Sequence, residues 1–187
     1  MQKIIYSSPS KIDWDAQSAF KLTNYYTDKE ACMVFCYLKQ YAENGSLKLC
    51  TFCFDKEAHG KNDLQLCLNL NPVLSEDFIQ LEFGIDGIGN VIKVKNSDIP
   101  VAASDGIKYT SFTSNDQQGY YWCGEISISP EFIEKHFKTK LAEKSVISLN
   151  LYKTFDGLTD YAALFPDDEN DILNKHKYMQ EFIILDY

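Results

Sequence analysis

The stretch Leu64-Gln65-Leu66-Cys67-Leu68-Asn69-Leu70, followed after a polar loop by Asp77-Phe78-Ile79-Gln80-Leu81-Glu82-Phe83, decides the fold. Apolar residues recur at every second position. That is the period a strand needs when one face lies in a core, because successive side chains point to opposite faces. Leu64, Leu66 and Leu68 share one face, as do Ile79, Leu81 and Phe83. Gln65, Asn69, Phe78, Gln80 and Glu82 take the other. Working outward, similar alternation or a β-rich run appears near 18–23, 31–38, 46–54, 91–95, 107–113, 120–128, 146–153 and 178–186. Turn residues at Glu43-Asn44-Gly45, Asp86-Gly87, Gly89-Asn90, Asp105-Gly106 and Asp156-Gly157 separate these runs. The pattern predicts an all-β fold, an antiparallel β-sandwich of jelly-roll or immunoglobulin-like type.

One helix is expected near 130–143. Ser129 can cap its first turn and Pro130 suits the first helical position. Phe132, Ile133, His136, Phe137 and Leu141 then form the stripe that would pack on the sandwich. The 187 residues carry no linker or repeat, so a single domain over 1–187 is predicted.

Acidic residues outnumber basic ones by 27 to 18, a net charge of −9, which disfavours nucleic acid and anionic membranes as partners. Every basic residue is lysine, so the chain lacks the planar fork usually used on phosphate or carboxylate, and a neutral ligand is expected. Residues 1–9 lack a signal-peptide pattern, and no run approaches the ~20 apolar residues of a membrane span. A cytoplasmic protein is the expectation. Its six cysteines then read as free, buried thiols.

Cys50-Thr51-Phe52-Cys53 matches a metal or redox spacing, but in a strand its thiols point to opposite faces. His59, His136 and His176 form no ligand pair, and the acidic loops near Asp156 and 167–171 lack calcium-loop spacing. No metal or cofactor is predicted. Glu82 and Glu125 are the only carboxylates proposed as a catalytic pair, and nothing in the sequence sets their separation, so a non-catalytic protein is expected. Face sorting is more informative. With Ile147, Leu149 and Leu151 inward, Ser148, Asn150 and Tyr152 join Gln65, Phe78 and Glu82 on outer faces. Amides, acids and rings of this kind suit a polyhydroxyl ligand.

Taken in order, these segments resemble the family 9 carbohydrate-binding modules and the wider DOMON-like group. Residues 64–69 and 77–83 look like the family's paired strands. Tyr121-Trp122-Cys123-Gly124-Glu125-Ile126-Ser127-Ile128-Ser129-Pro130 resembles its W-x-x-E-x-x-I-P segment, Asn150-Leu151-Tyr152-Lys153 its N-F-Y-K strand, and Tyr161 to Pro166 its Y-L-S-W-x-P segment. The resemblance implies a sandwich that binds a neutral mono- or oligosaccharide without catalysis, using His59, Gln65, Glu82, Asn150, Tyr161, Phe165 and His176. Leu164, with Phe165 beside it, stands at the family's tryptophan position, and the other stacking position falls near His59. Trp14 is left to pack or stack in the amino-terminal segment, and Trp122 reads as core. Two other classes fit the same sandwich. One is a protein-interaction module that has lost the sugar. The other is a haem-binding DOMON-like domain using Met33, Met179 or a histidine.

Overall fold

The leucines of the deciding stretch are buried at 0–1% exposure, and they set one wall of the core. The computed structural model describes residues 3–26, 35–55, 60–94, 98–117, 119–156, 160–166 and 177–186. Its strands are β1 (Lys3–Ser8), β2 (Phe20–Lys21), β3 (Asn24–Tyr26), β4 (Cys36–Glu43), β5 (Ser46–Cys53), β6 (Leu64–Asn69), β7 (Phe78–Gly84), β8 (Gly87–Val94), β9 (Ile99–Pro100), β10 (Ile107–Asp116), β11 (Gly119–Ile128), β12 (Val146–Asp156), β13 (Asp160–Ala163) and β14 (Gln180–Asp186), with helix α1 (Pro130–Phe137) between β11 and β12. They follow the path β10-β11-β5-β4-β1-β14-β12-β6-β7-β8-β9, with β13 on β12, β3 on β13 and β2 on β4.

This sheet curls into a sandwich. One layer is β4, β5, β11 and β10, and the other is β12, β6, β7 and β8. Leu38, Leu47, Leu49, Trp122, Ile126 and Ile128 of the first pack against Leu64, Leu66, Leu68, Ile79, Leu81, Phe83, Leu149 and Leu151 of the second. The expected inward phases of β6, β7 and β12 are those observed. Unlike the antiparallel expectation, the sheet is mixed, because β1 runs parallel to both β14 and β4. Of the run expected near 31–38, residues 36–38 fall in β4, which continues to Glu43. Residues 31–34, including Met33 and Cys32, lie outside the described residues. Gly89-Asn90, read as a turn, falls inside β8.

Asn44 and Gly45 make the β4–β5 turn at φ 49° and 77°, the left-handed backbone that this dipeptide adopts readily in tight hairpins. At the open side of the sandwich Tyr109 donates to the Gly84 carbonyl at 2.5 Å, and Ser111 to Ile85 at 2.7 Å. Gly124 makes room for that reach, since a Cβ there would lie 2.7 Å from the Tyr109 hydroxyl. At one end, buried Lys153 pairs with Asp55 at 3.0 Å. Burial opposes the Lys153 ammonium, but Cys53, Asp55 and Asp63 outweigh it and raise its pKa above the ordinary lysine value. Among the described residues no helix is long and apolar enough to cross a membrane.

Helix α1 begins as expected, with the Ser129 hydroxyl accepting from the Phe132 amide at 3.2 Å. It stops at Phe137, short of 143, because Lys138 turns left-handed at φ 53°. Lys93 donates to the His136 carbonyl at 2.6 Å, a cation at the helix's negative end. His136 itself packs on Phe132, ring to ring at 4.4 Å. Burial, then Lys135, Lys93 and Lys138 hold its pKa below the ordinary 6.5, with Asp105 opposing. A depressed imidazole is a proton the unfolded chain binds more readily, so its contribution is complete above about pH 6.5 and is lost as pH falls toward the folded value. His136→Gln is therefore expected to flatten the fall in melting temperature between neutral and mildly acidic pH, read by calorimetry. An unchanged slope would contradict this.

Candidate functional site

The outer face of β6, β7 and β12 was expected to hold a ligand. Gln65 faces Glu82 in register, its amide donating at 3.4 Å, and Asn90 donates to the other Glu82 oxygen at 2.8 Å. Much of the rest of that face is buried. Cys67, Phe78, Tyr152, Tyr161 and Ala163 form a second buried cluster, with Tyr26, Val94 and Met179 packed against it. The burial follows from β13. It pairs Ala163 with Tyr152 on one edge and Tyr161 with Tyr26 of β3 on the other, so Tyr161 stacks on Tyr26 at 4.6 Å and 18°.

Two expected ligand residues take structural roles instead. Phe165 belongs to the main core, 6.0 Å from the Phe182 ring, with the Lys3 ammonium 4.7 Å above it. Asn150 does lie on the outer face, but it is fully buried. Its oxygen accepts from the amides of Leu151 at 2.9 Å and Phe165 at 3.0 Å, and its amide donates to the Tyr178 carbonyl at 3.2 Å. Gln65 and Glu82 thus come together, Tyr161 packs into the second cluster with Tyr152, and Asn150 and Phe165 hold the chain in place. His59 and His176 lie outside the described residues.

A concave site exists on the opposite layer. Strand register places Tyr41, Lys48, Ser127 and Lys108 in one row across β4, β5, β11 and β10, and Lys39, Cys50, Glu125 and Thr110 in the next. These are the phases opposite to Leu47, Leu49, Ile126 and Ile128, so the rows form the outer face. Trp14 lies over them. It starts a single 3-10 turn, Trp14–Ala16, capped by Asp13, whose carboxylate accepts from the Asp15 amide at 3.0 Å. Lys39 donates to the Trp14 carbonyl at 2.9 Å. The indole donates to Glu125 at 2.9 Å and meets Tyr41 edge-on at 4.9 Å and 61°. Backbone and ring are therefore both fixed.

The cleft so formed is about 270 Å³. The half-buried indole makes one wall, and Glu43, Lys48, Lys108, Thr110 and Glu125 are among the other residues lining it. Lys48 donates to Ser127 at 2.8 Å and pairs with Glu43 at 3.3 Å. In the same sheet Cys50 and Cys123 lie with their sulfurs 2.9 Å apart, both fully buried. Their hydrogen bond and burial push the Cys50 thiol pKa up, so it is an inert packing group rather than a nucleophile. Cys53 faces the core, which separates the two thiols of the C-x-x-C spacing as expected.

The cleft offers a rigid aromatic surface, hydroxyls and charged groups, the chemistry that positions a small polar ligand. Sequence reasoning missed it because its signal is split. Glu125 entered as part of the W-x-x-E-like segment and as a catalytic partner for Glu82, yet the two stand on different layers. Trp14 and Glu125 are 111 residues apart. The one local clue is an indole in an otherwise polar segment. Among the described residues no group of three or more His, Cys, Asp or Glu is placed to hold a metal.

No protein-family model matches the chain, and no curated protein matches it. Solved structures do. An inferred carbohydrate-binding protein from Bacteroides uniformis ATCC 8492 superposes with a TM-score of 0.68 at 10% identity, covering 98% of this chain and 96% of that one. A family 9 carbohydrate-binding module from Caldicellulosiruptor kristjanssonii, in complex with cellotriose, superposes with a TM-score of 0.64 at 12% identity, covering 100% and 95%. At these identities the likeness is one of fold.

Two outcomes follow from the placements. Asn150→Ala, which strands a buried Phe165 amide, is expected to lower unfolding free energy by about 1–3 kcal/mol in a denaturant titration. A stable variant would mean that this amide is not structural. Trp122 is fully buried and Trp14 is not. Acrylamide is therefore expected to quench part of the tryptophan fluorescence, and Trp14→Phe to leave a blue-shifted emission that resists quenching.

Proposed function

We propose that this protein is a non-catalytic carbohydrate-binding domain that seats a mono- or oligosaccharide against Trp14. The observation that carries the reading is the indole itself, fixed between Glu125 at 2.9 Å and Tyr41 at 4.9 Å over a cleft of about 270 Å³. An aromatic ring held in one orientation can cover the apolar C–H face of a sugar at little entropic cost, while carboxylate and hydroxyl groups around it satisfy the sugar's hydroxyls. The fold shared with a module solved with cellotriose supports the same reading. The net charge of −9 disfavours a large polyanion as the partner.

Calorimetry or NMR titration with glucose, cellobiose, xylose and their acidic counterparts is the test. Binding is expected to shift the Trp14 indole resonance. Trp14→Ala is expected to weaken affinity on the order of tenfold through loss of the aromatic contact, and Glu82→Gln, on the other layer, to leave it unchanged. The reverse pattern would move the ligand to the Gln65 and Glu82 face. No response across the panel at millimolar sugar would overturn the reading.

A further inference from the structure

We infer that the sugar recognised at the Trp14 cleft carries a single carboxylate, as a uronic acid does. The inference rests on the carbohydrate reading and adds the charge of the ligand. Three lysines, Lys11, Lys48 and Lys108, line the cleft against two carboxylates, Glu43 and Glu125, in a chain whose net charge is −9. Lys48 and Glu43 compensate each other at 3.3 Å, and one Glu125 oxygen accepts the indole proton at 2.9 Å. Lys11 and Lys108 are exposed, and neither has an ion-pair partner among the described residues.

Register sharpens the placement. Lys48 and Lys108 both pair with Ser127, one from each side of β11. Two cations thus flank a hydroxyl on the outer face, roughly two strand spacings or about 10 Å apart. Cross-strand cations of this kind are ordinarily offset by an acid. Glu43 does so for Lys48, whereas Lys108 faces Ser127 across the strand. The lining groups sum to one positive charge, which matches a monoanion. A dianionic phosphate would stand uncompensated beside Glu43 and Glu125, and lysine supplies point charges without the fork that selects phosphate geometry. A carboxylate stacked on Trp14 through its sugar ring would receive charge-assisted hydrogen bonds from Lys108 or Lys11.

The test is calorimetry on the full chain with matched pairs, glucose against glucuronate and galactose against galacturonate, at low and high salt. Discounted for exposure, one such hydrogen bond is worth about two- to fivefold in affinity. Glucuronate or galacturonate is expected to bind about that much more tightly than its neutral partner at low salt, with the ratio shrinking at high salt. Lys108→Met is expected to bring the ratio toward one, Lys108→Arg to retain it, and Lys140→Met, a charge-matched control on the helix side, to leave it unaltered. Equal affinity for acid and neutral sugars overturns the inference alone, as does tighter binding of glucose 6-phosphate than of glucuronate. If no sugar of either kind binds, the carbohydrate reading falls and the inference with it.

Discussion

The architecture depends on the pairing of one short strand with two others. Tyr6 of β1 lies between Leu185 of β14 and Tyr41 of β4, and Ser7 lies between Asp186 and Ala42. Through those two residues the sheet passes from one layer to the other. Removing this strand would leave β4 and β14 with open edges and divide the core into two half-buried sheets. Both pairings are parallel and join sequence-distant segments, so each carries a loop-closure cost that a local hairpin does not. The same constraint places the cleft. On leaving β1 the chain is held by Asn44, whose amide donates to the Pro9 carbonyl at 3.0 Å. The following residues cross the outer face of β4, and Trp14 is set down on Glu125 of β11.

The two outer faces of the sandwich therefore receive different treatment. On the β12 side, β13 and β3 extend the sheet, and their tyrosines join Cys67, Phe78 and Tyr152 in a second apolar cluster. On the β5 and β11 side, a single 3-10 turn covers one corner and leaves a hollow beneath it. An aromatic ring that is buried on all sides contributes stability. One fixed by two contacts and left half open can also contribute affinity, because its orientation is set before a ligand arrives. Tyr161 is of the first kind and Trp14 of the second.

Much of the fold was legible because it is written locally. Leu64, Leu66 and Leu68 have only one phase that buries them, and Ser129-Pro130 starts a helix by its own side-chain chemistry. The parallel pairing of β1 was not legible, since no periodicity reports which distant strand becomes a neighbour. The sites followed the same division. Gln65 and Glu82 were legible as outer-face residues from their phase, and the register of β6 and β7 then pairs them. Asn150 was read to the correct face but not to its burial, which depends on the segment at Phe165 and Tyr178 folding over it. Trp14 and Glu125 meet only once the whole first layer is assembled.

Charge shows why global and local readings of one sequence diverge. A net charge of −9 describes the field met by a large polyanion, which samples the entire surface. A monosaccharide does not. At physiological ionic strength the Debye length is ~8 Å, so a small ligand inside the cleft is governed by the few groups that line it and hardly by carboxylates on the far layer. Those groups are three lysines and two glutamates, with one lysine and one glutamate already paired at 3.3 Å. The absence of arginine keeps its meaning on this scale, because it removes the planar fork. It does not remove positive charge, which the outer row of β5, β11 and β10 supplies through Lys48 and Lys108 on either side of Ser127. An acidic protein can therefore present a cationic site, provided that register, rather than composition, decides which side chains stand together.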